Sequence, residues 1–184
     1  MISDLLVEVD RRFDDLGIAH AFGGAMALNY YAEPRATTDV DVNVATDVAG
    51  APGLVGELAA AGFVLDRPLD EVVPISGARL RRGADVLDLF LSFDAFHHRL
   101  LGRARRVPIR ATTGTAEIPI LSADDLVVVK LSCNRGKDWV DVEAMVAAGV
   151  TIDVPLVEAE LIGLRGPTMY PRVARLREVI ASIR

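Results

Sequence analysis

The feature that most constrains this chain is a pair of glycines followed, after a short spacer, by two aspartates that alternate with valines. The glycines are Gly23-Gly24, and the later run is Asp39-Val40-Asp41-Val42. Residues two apart in a β-strand project from the same face, so the carboxylates share one face and the valines fill the other. Like charges held this closely are unfavourable unless a cation lies between them. The run therefore predicts a strand with one buried apolar face and a cation site on the other.

Oxygen ligands on a strand suit Mg²⁺, which binds through one or two carboxylates, several waters and substrate phosphates. Gly23 and Gly24 allow the backbone to approach a phosphate closely and provide N–H groups at the start of a helix. Taken separately, the glycines fit an ordinary strand-to-helix turn, and the aspartates fit an exposed strand end. Together and in this order, they favour nucleotide chemistry at a divalent metal.

A third carboxylate is expected from a neighbouring strand. Asp88 lies in the middle of the apolar run Val86-Leu87-Asp88-Leu89-Phe90, where solvation explains an acid poorly. Asp85 is the alternative, but it follows the turn Gly83-Ala84, where a loop aspartate is ordinary. We favour Asp88 as the third metal ligand.

Hydrophobic periodicity predicts a mixed α/β core over residues 1–121, followed by a mostly helical part over residues 122–184 packed on it as the same compact unit. Residues 126–134 read as a helix after the capping box that begins at Ser122, although three consecutive valines leave a strand as the alternative. The expected helices are 3–16, 24–31, 52–61, 94–101, 126–134, 138–148, 154–162 and 171–183, and the expected strands are 18–22, 39–44, 63–65, 78–82, 86–91 and 107–111.

Composition limits the class of protein further. Of 184 residues, 51% are hydrophobic, which is enough for a sizeable core, and we find no stretch apolar and long enough to span a bilayer. The first residues lack the basic and apolar segments of a secretion signal, and the single cysteine fits a reducing compartment, so we expect a cytoplasmic protein. The net charge of −6 argues against broad nucleic-acid binding, whereas local arginine clusters favour an acidic ligand or a solvated surface equally. The clusters are Arg79, Arg81 and Arg82, and Arg99, Arg103, Arg105, Arg106 and Arg110.

The order of glycines, spacer and acidic pair resembles the signature of the nucleotidyltransferase superfamily that is built on the polymerase-β palm. The resemblance implies a mixed sheet with helices and an acidic trio, Asp39, Asp41 and Asp88, that holds Mg²⁺ or Mn²⁺. It also implies transfer of a nucleoside monophosphate from a nucleoside triphosphate, with release of pyrophosphate. Arg35 and Thr38, just before the acidic pair, make the chain look most like the AbiEii and MenT branch of bacterial toxins.

A second run, from Lys130 through Arg135-Gly136-Lys137-Asp138 to Asp141, is similar to the pattern that AbiEii and MenT proteins carry after their palm. By that likeness Lys130 contacts the triphosphate, Arg135 or Lys137 assists, and Asp138 positions a lysine or the nucleotide. Arg35 joins the nucleotide-binding residues by the same likeness. The alternative is an exposed connection between helices, with Lys137 and Asp141 forming a pair four residues apart that contributes only about 0.3–0.5 kcal/mol.

The resemblance implies a toxin that adds nucleotides to the 3′ acceptor end of tRNA and so blocks translation. A small-molecule nucleotidyltransferase of the antibiotic-modifying kind, a protein AMPylator and a non-catalytic nucleotide-binding module remain alternatives. We further expect a cognate antitoxin, of a kinase-like kind, that silences the site by modifying Thr37 or Thr38, because a phosphate there adds about −1.5 to −2 charges beside the metal ligands. The alternative is that both hydroxyls only cap the start of the strand.

Overall fold

The strands form one seven-stranded mixed sheet in the computed structural model, which describes residues 1–47, 49–68, 71, 77–91 and 94–183. The strand order is β3-β4-β5-β2-β1-β7-β6. β2 is parallel to β5 and β1 is parallel to β7, and the other neighbours are antiparallel. The strands are β1 His20–Phe22, β2 Asp39–Val44, β3 Val64–Leu65, β4 Gly77–Arg82, β5 Asp85–Leu91, β6 Arg105–Ala111 and β7 Gly114–Ile120. The predicted mixed α/β class is confirmed.

The helices agree with the hydrophobic periodicity, apart from their ends. They are α1 Ile2–Asp15, α2 Gly24–Leu28, α3 Ala51–Ala60, α4 Ala95–Gly102, α5 Ala123–Cys133, α6 Gly136–Ala147, α7 Val154–Arg165 and α8 Tyr170–Ile183. Helix α2 ends three residues before the predicted Tyr31, and α1 is capped by Met1 where we expected Ser3. None of the helices in the described part of the chain combines the length and the apolar character needed to cross a bilayer.

Residues 126–133 are helical and Asn134 ends the helix, so the alternative strand is wrong. The Ser122 hydroxyl accepts a hydrogen bond from the Asp125 N–H at 3.1 Å, which caps the first turn of α5. At the other end Asn134 adopts a left-handed conformation with φ of 56°, a common helix stop. Val127 and Val128 are fully buried. Caps at both ends and burial of the valines outweigh the modest strand preference of these residues.

The chain divides into two compact units. The first consists of residues 1–26 and 36–121 and contains the whole sheet, with α1 packed on β6 and β7. Its core is built by strict alternation, because Val40, Val42 and Val44 of β2 and Leu87 and Leu89 of β5 are fully buried. Burial of each such side chain contributes about 1.5–3 kcal/mol.

The second unit consists of residues 27–35 and 122–184. Its helices α5 to α8 pack against one another, with α5 against α6 and α7, and α8 against the same two helices. Leu161, Val173 and Leu176 are fully buried in this helical group. Arg172 of α8 donates hydrogen bonds to the carbonyl oxygens of Leu131 and Ser132, which lie in the last turn of α5 and lack intrahelical donors.

Candidate active site

The two aspartates of β2 and one aspartate of β5 lie side by side on the sheet. The register of these parallel strands places Asp41 opposite Asp88 and Asp39 opposite Val86. Residues that lie opposite each other, or two apart along a strand, share a face of the sheet, so the three carboxylates project from one face. All three side chains are partly exposed, whereas Val40 on the other face is fully buried. The first unit therefore brings the three predicted metal ligands together.

Asp85, the alternative third acid, is the first residue of β5 and lies beside the turn. Its carboxylate accepts a hydrogen bond from Arg82 at 3.0 Å, and the two residues are paired across the β4–β5 hairpin. Because Asp85 and Asp88 are three positions apart along the strand, they project from opposite faces of the sheet. The choice of Asp88 stays a prediction, and the register supports it.

A guanidinium from β4 lies against this acidic group. Arg79 is directly opposite Asp88, and its Nε and Nη2 donate to the two Oδ atoms of Asp88 at 2.7 and 2.5 Å. Nη2 also lies 3.8 Å from Oδ2 of Asp39. The hydrogen bonds and charge of Asp88 raise the pKa of Arg79 above its ordinary value. The acidic trio thus attracts a cation, and its oxygen-only donors suit Mg²⁺ or Mn²⁺.

The pairing of Arg79 with Asp88 was not predicted, because Arg79 was expected only as one member of an arginine cluster. A signal for it was present. Gly83 and Ala84 form a two-residue turn between Arg82 and Asp85, and a two-residue hairpin fixes the register of its strands. Counting three residues along each strand from the closing pair, Arg82 and Asp85, brings Arg79 opposite Asp88.

The glycine pair holds the end of β1 against β2. The Gly23 N–H donates to the carbonyl oxygen of Asp41 at 2.9 Å. Gly24 has a φ of +54°, and a Cβ added there would lie 1.8 Å from Oδ2 of Asp41. A side chain at this position would therefore displace the Asp41 carboxylate. The close approach that only glycine permits is an approach to a predicted metal ligand, in addition to any role towards a phosphate.

The two threonines before β2 differ in their surroundings. The Thr37 hydroxyl donates to Oδ1 of Asp39 at 2.5 Å, and its side chain is half-buried. Thr38 is exposed. Thr37 therefore contacts the first predicted metal ligand directly, while Thr38 is the more accessible of the two hydroxyls.

In the second unit a buried lysine and an arginine share one carboxylate. Nζ of Lys130 donates to Oδ2 of Asp141 at 2.5 Å, and Arg35 donates from Nε and Nη2 to both Oδ atoms at 3.1 Å. Lys130 and Asp141 are each about 5% exposed as side chains, whereas Arg35 is 43% exposed. The alternative pair of Lys137 and Asp141 is not formed, since Asp141 binds these two other cations. Asp141 was part of the quoted run but was not proposed as a site residue.

The pKa of Asp141 reflects two opposing effects. Burial alone raises the pKa, and the hydrogen bonds and charges of Arg35 and Lys130 more than offset it, so the pKa lies below its ordinary value. Asp141 therefore stays ionised at neutral pH and orients both cations.

A second ion pair forms at the start of α6. Asp138 is buried and accepts from the Arg135 N–H at 2.9 Å and from Nε and Nη2 of the same residue at 2.8 and 3.0 Å. Burial raises the pKa of Asp138, and the hydrogen bonds from Arg135, with a smaller contribution from the charge of Lys130, lower it to a net value below the ordinary one. Lys137 is exposed. Asp138 thus positions an arginine, where the resemblance implied a lysine or the nucleotide.

A further group of ionisable side chains joins α1 to the opposite edge of the sheet. The His20 ring nitrogens lie 3.0 Å from the Ile18 carbonyl and 3.0 Å from Oδ1 of Asp10, and Asp14 lies close enough to share a metal ion with these two residues. However, Arg106 donates to the other oxygen of Asp10 at 3.0 Å and lies 3.7 Å from Asp14. Because Asp10 and His20 are buried as well as paired, whereas the acidic trio is partly exposed, we interpret this group as a structural ion pair.

Several arginines of the two predicted clusters are engaged in similar ion pairs. Arg81 binds Asp66 at 2.8 Å, and Arg82 binds Glu8 at 2.7 Å. Arg110 is exposed on β6. Arg82 and Arg106 therefore stabilise the first unit. Substitution of the exposed Arg110 is the better test for binding of an acidic ligand.

Comparisons with known proteins give structural likeness but no sequence match. No protein-family model and no curated protein sequence matches the chain. A solution structure of the antibiotic-resistance factor ANT(2″)-Ia is 14% identical, covers 96% of both chains and has a TM-score of 0.58. Its crystal structure in complex with adenylyl-2″-tobramycin is 13% identical, covers 98% of this chain and 97% of that chain, and has a TM-score of 0.53.

An antigenic nucleotidyltransferase-like protein from Paracoccidioides brasiliensis is 18% identical, with 98% of this chain and 90% of that chain covered and a TM-score of 0.56. Likeness at these identities concerns the fold and not the substrate. The sheet topology and these neighbours together show that the chain has the nucleotidyltransferase fold.

Proposed function

We propose that this protein is a metal-dependent nucleotidyltransferase that transfers a nucleoside monophosphate from a nucleoside triphosphate to an acceptor hydroxyl. The observation that carries the proposal is the register of β2 and β5, which places Asp41 opposite Asp88 with Asp39 two residues away on the same face. An isolated acid on a sheet is commonly solvated, whereas three on one face repel one another and favour the binding of a cation.

In this proposal Asp39, Asp41 and Asp88 hold Mg²⁺ or Mn²⁺, which would neutralise the triphosphate and lower the pKa of the attacking hydroxyl. The acceptor oxygen attacks the α-phosphorus, the bond from that phosphorus to the bridging oxygen breaks, and pyrophosphate leaves. The hydroxyl proton passes to a carboxylate of the trio, for which Asp88 is our candidate. Gly24 keeps the Asp41 carboxylate in place, because a larger residue would displace it.

For the second unit we propose that Lys130, Arg35, Arg135 and Lys137 bind the triphosphate. Asp141 orients Lys130 and Arg35, and Asp138 orients Arg135, through the hydrogen bonds described above. Guanidinium and ammonium groups held in this way lose little conformational entropy when a phosphate binds.

We propose the 3′ end of tRNA as the acceptor and a role as the toxin of a cytoplasmic toxin–antitoxin pair. The support is the resemblance of both sequence runs to the AbiEii and MenT branch. The antitoxin in this proposal is a kinase-like protein that modifies Thr37 or Thr38. Thr37 contacts Asp39, so a phosphate there would place negative charge directly on the metal site.

Labelling with each of the four nucleoside triphosphates, radioactive at the α-phosphate that is transferred, in the presence of total tRNA and Mg²⁺, tests the reaction and the acceptor together. We expect label in tRNA, and no label with Asp41→Asn, which keeps the size of the side chain but removes its charge. Label in an added aminoglycoside would identify a small-molecule enzyme, and label in protein would identify an AMPylator. The absence of label in every acceptor, with a correctly folded protein, would contradict the proposed activity.

A further inference from the structure

Three neighbouring strands place one cation and two carboxylates in a single row across the sheet. Arg79 of β4 is opposite Asp88 of β5, and Asp88 is opposite Asp41 of β2. Asp39 lies two residues before Asp41 on β2 and projects from the same face. Arg79 is therefore the residue of this face that balances part of the charge of the acidic trio.

Arg79 uses the same atoms of Asp88 that a metal ion would use. Both Oδ atoms of Asp88 accept from the guanidinium, whose Nη2 also extends towards Asp39 to a distance of 3.8 Å. A divalent ion held by Asp39 and Asp88 would lie within a few ångströms of this positive charge, and the two cations would repel each other strongly. The guanidinium and the metal ion therefore compete for one carboxylate.

Arg79 is also free to move once it is displaced. Its side chain is 44% exposed, so the guanidinium can leave Asp88 without opening the core. Arg81, on the same face of β4, is similarly exposed at 48%, but it pairs with Asp66 at 2.8 Å and not with a member of the acidic trio. A guanidinium presents two parallel N–H groups, which match a phosphate as well as a carboxylate.

Building on the proposed function, we propose that Arg79 is an exchangeable counter-ion of the acidic site. The metal ion displaces Arg79 from Asp88, and the released guanidinium then binds the triphosphate. Metal binding thus prepares the phosphate site, and Arg79 acts as a positioning residue for the substrate.

Arg79→Gln should change the two affinities in opposite directions. Without the competing cation, Mn²⁺ should bind to the nucleotide-free protein about three- to fivefold more tightly, as expected for loss of one partly exposed ion pair. Inorganic tripolyphosphate, which represents the part common to all nucleoside triphosphates, should bind about tenfold more weakly at saturating Mn²⁺, since one charge-assisted hydrogen-bond donor is lost. Electron paramagnetic resonance measures the first affinity, and titration calorimetry measures the second.

Arg81→Gln is the matched control, because it removes the same charge from the next residue on the same face of β4. We expect it to change both affinities less than twofold. Arg79→Lys keeps the charge but not the paired N–H groups, so its Mn²⁺ affinity should lie between those of the wild type and Arg79→Gln. The circular dichroism spectrum of each variant checks that it is folded.

The outcomes separate this inference from the proposed function. Tighter Mn²⁺ binding with weaker tripolyphosphate binding in Arg79→Gln alone supports the exchange. If both affinities fall, or neither changes, while wild type binds Mn²⁺ and Asp88→Asn does not, Arg79 is only structural and the inference is overturned. If neither wild type nor Arg79→Gln binds Mn²⁺, the metal-dependent function itself is contradicted together with the inference.

Discussion

Replacement of Gly24 by alanine should disturb the Asp41 carboxylate more than any other part of the protein. The added Cβ would lie 1.8 Å from Oδ2 of Asp41 and 2.6 Å from its Cγ, so the carboxylate must rotate away. Gly24 also has a φ of +54°, a conformation that costs a non-glycine residue about 1–2 kcal/mol. An off-rotamer side chain adds about 0.5–1.5 kcal/mol. We therefore expect Gly24→Ala to lower the free energy of unfolding by about 2–3 kcal/mol.

Urea denaturation and Mn²⁺ binding test this expectation, with Gly23→Ala as the matched control. A Cβ at Gly23 would meet only the side chains of Leu121 at 3.2 Å and Asn43 at 3.4 Å, and the expected loss of stability is about 1 kcal/mol or less. Gly24→Ala should also weaken Mn²⁺ binding to the level of Asp41→Asn, because the displaced carboxylate no longer reaches the metal.

A double-mutant cycle isolates the contact between Gly24 and Asp41. In the double variant Gly24→Ala/Asp41→Ala, the two atoms nearest to the added methyl group are removed, and the Cβ of residue 41 remains at 3.0 Å. The second substitution should therefore recover about 1 kcal/mol of the loss. If Gly24→Ala unfolds at the same urea concentration as Gly23→Ala and binds Mn²⁺ as the wild type does, the steric argument is refuted.

Three further predictions concern Lys130, Asp141 and Thr38. Lys130→Met should weaken tripolyphosphate binding, which calorimetry measures. It should also lower the free energy of unfolding by about 1–3 kcal/mol, because Asp141 is buried and loses one of its two cations; urea denaturation measures this effect. Unchanged stability would show that the pair contributes nothing. Acid should destabilise the second unit, because the pKa of Asp141 lies below its ordinary value of 3.8. The stabilisation by its ion pairs is therefore present above pH 3.8 and is lost as the pH falls through the pKa of the folded state. Urea denaturation at pH 7 and pH 3 should show a smaller loss for Asp141→Asn than for the wild type, and equal losses would contradict this assignment. Thr38→Glu should abolish nucleotidyl transfer while Thr38→Val retains it; activity in the glutamate variant would reject a charge switch at this exposed hydroxyl.

Local patterns were enough to predict most of the strands and helices. Strand β2 was predicted with the bounds that it has, because polar and apolar residues alternate throughout from Asp39 to Val44. Strands β4 and β5 were predicted on either side of the Gly83-Ala84 turn, the first from its alternating residues and the second from its mostly apolar run. Helix ends were less predictable, since the short α2 stops at Leu28 without a strong signal for termination there.

The chemistry of the candidate site depended more on pairing between distant segments. Asp39, Asp41 and Asp88 could be proposed from the sequence because acids that alternate with, or lie between, apolar residues of a strand are unusual. The partners of the other charged residues could not be predicted from the sequence. Arg35 and Asp141 are 106 positions apart, and no local pattern indicates that Asp141 also binds Lys130.

By itself, the sequence determined which faces of the strands are buried and where three acids could meet, since side-chain alternation is a local property of the backbone. Only the tertiary structure decided which cation each acid receives. Arg79 reaches Asp88 because β4 and β5 pair in one register, and Gly24 contacts Asp41 because β1 and β2 adjoin. Ion pairing depends on distances of a few ångströms between segments, and those distances are set by strand register and helix packing rather than by spacing along the chain.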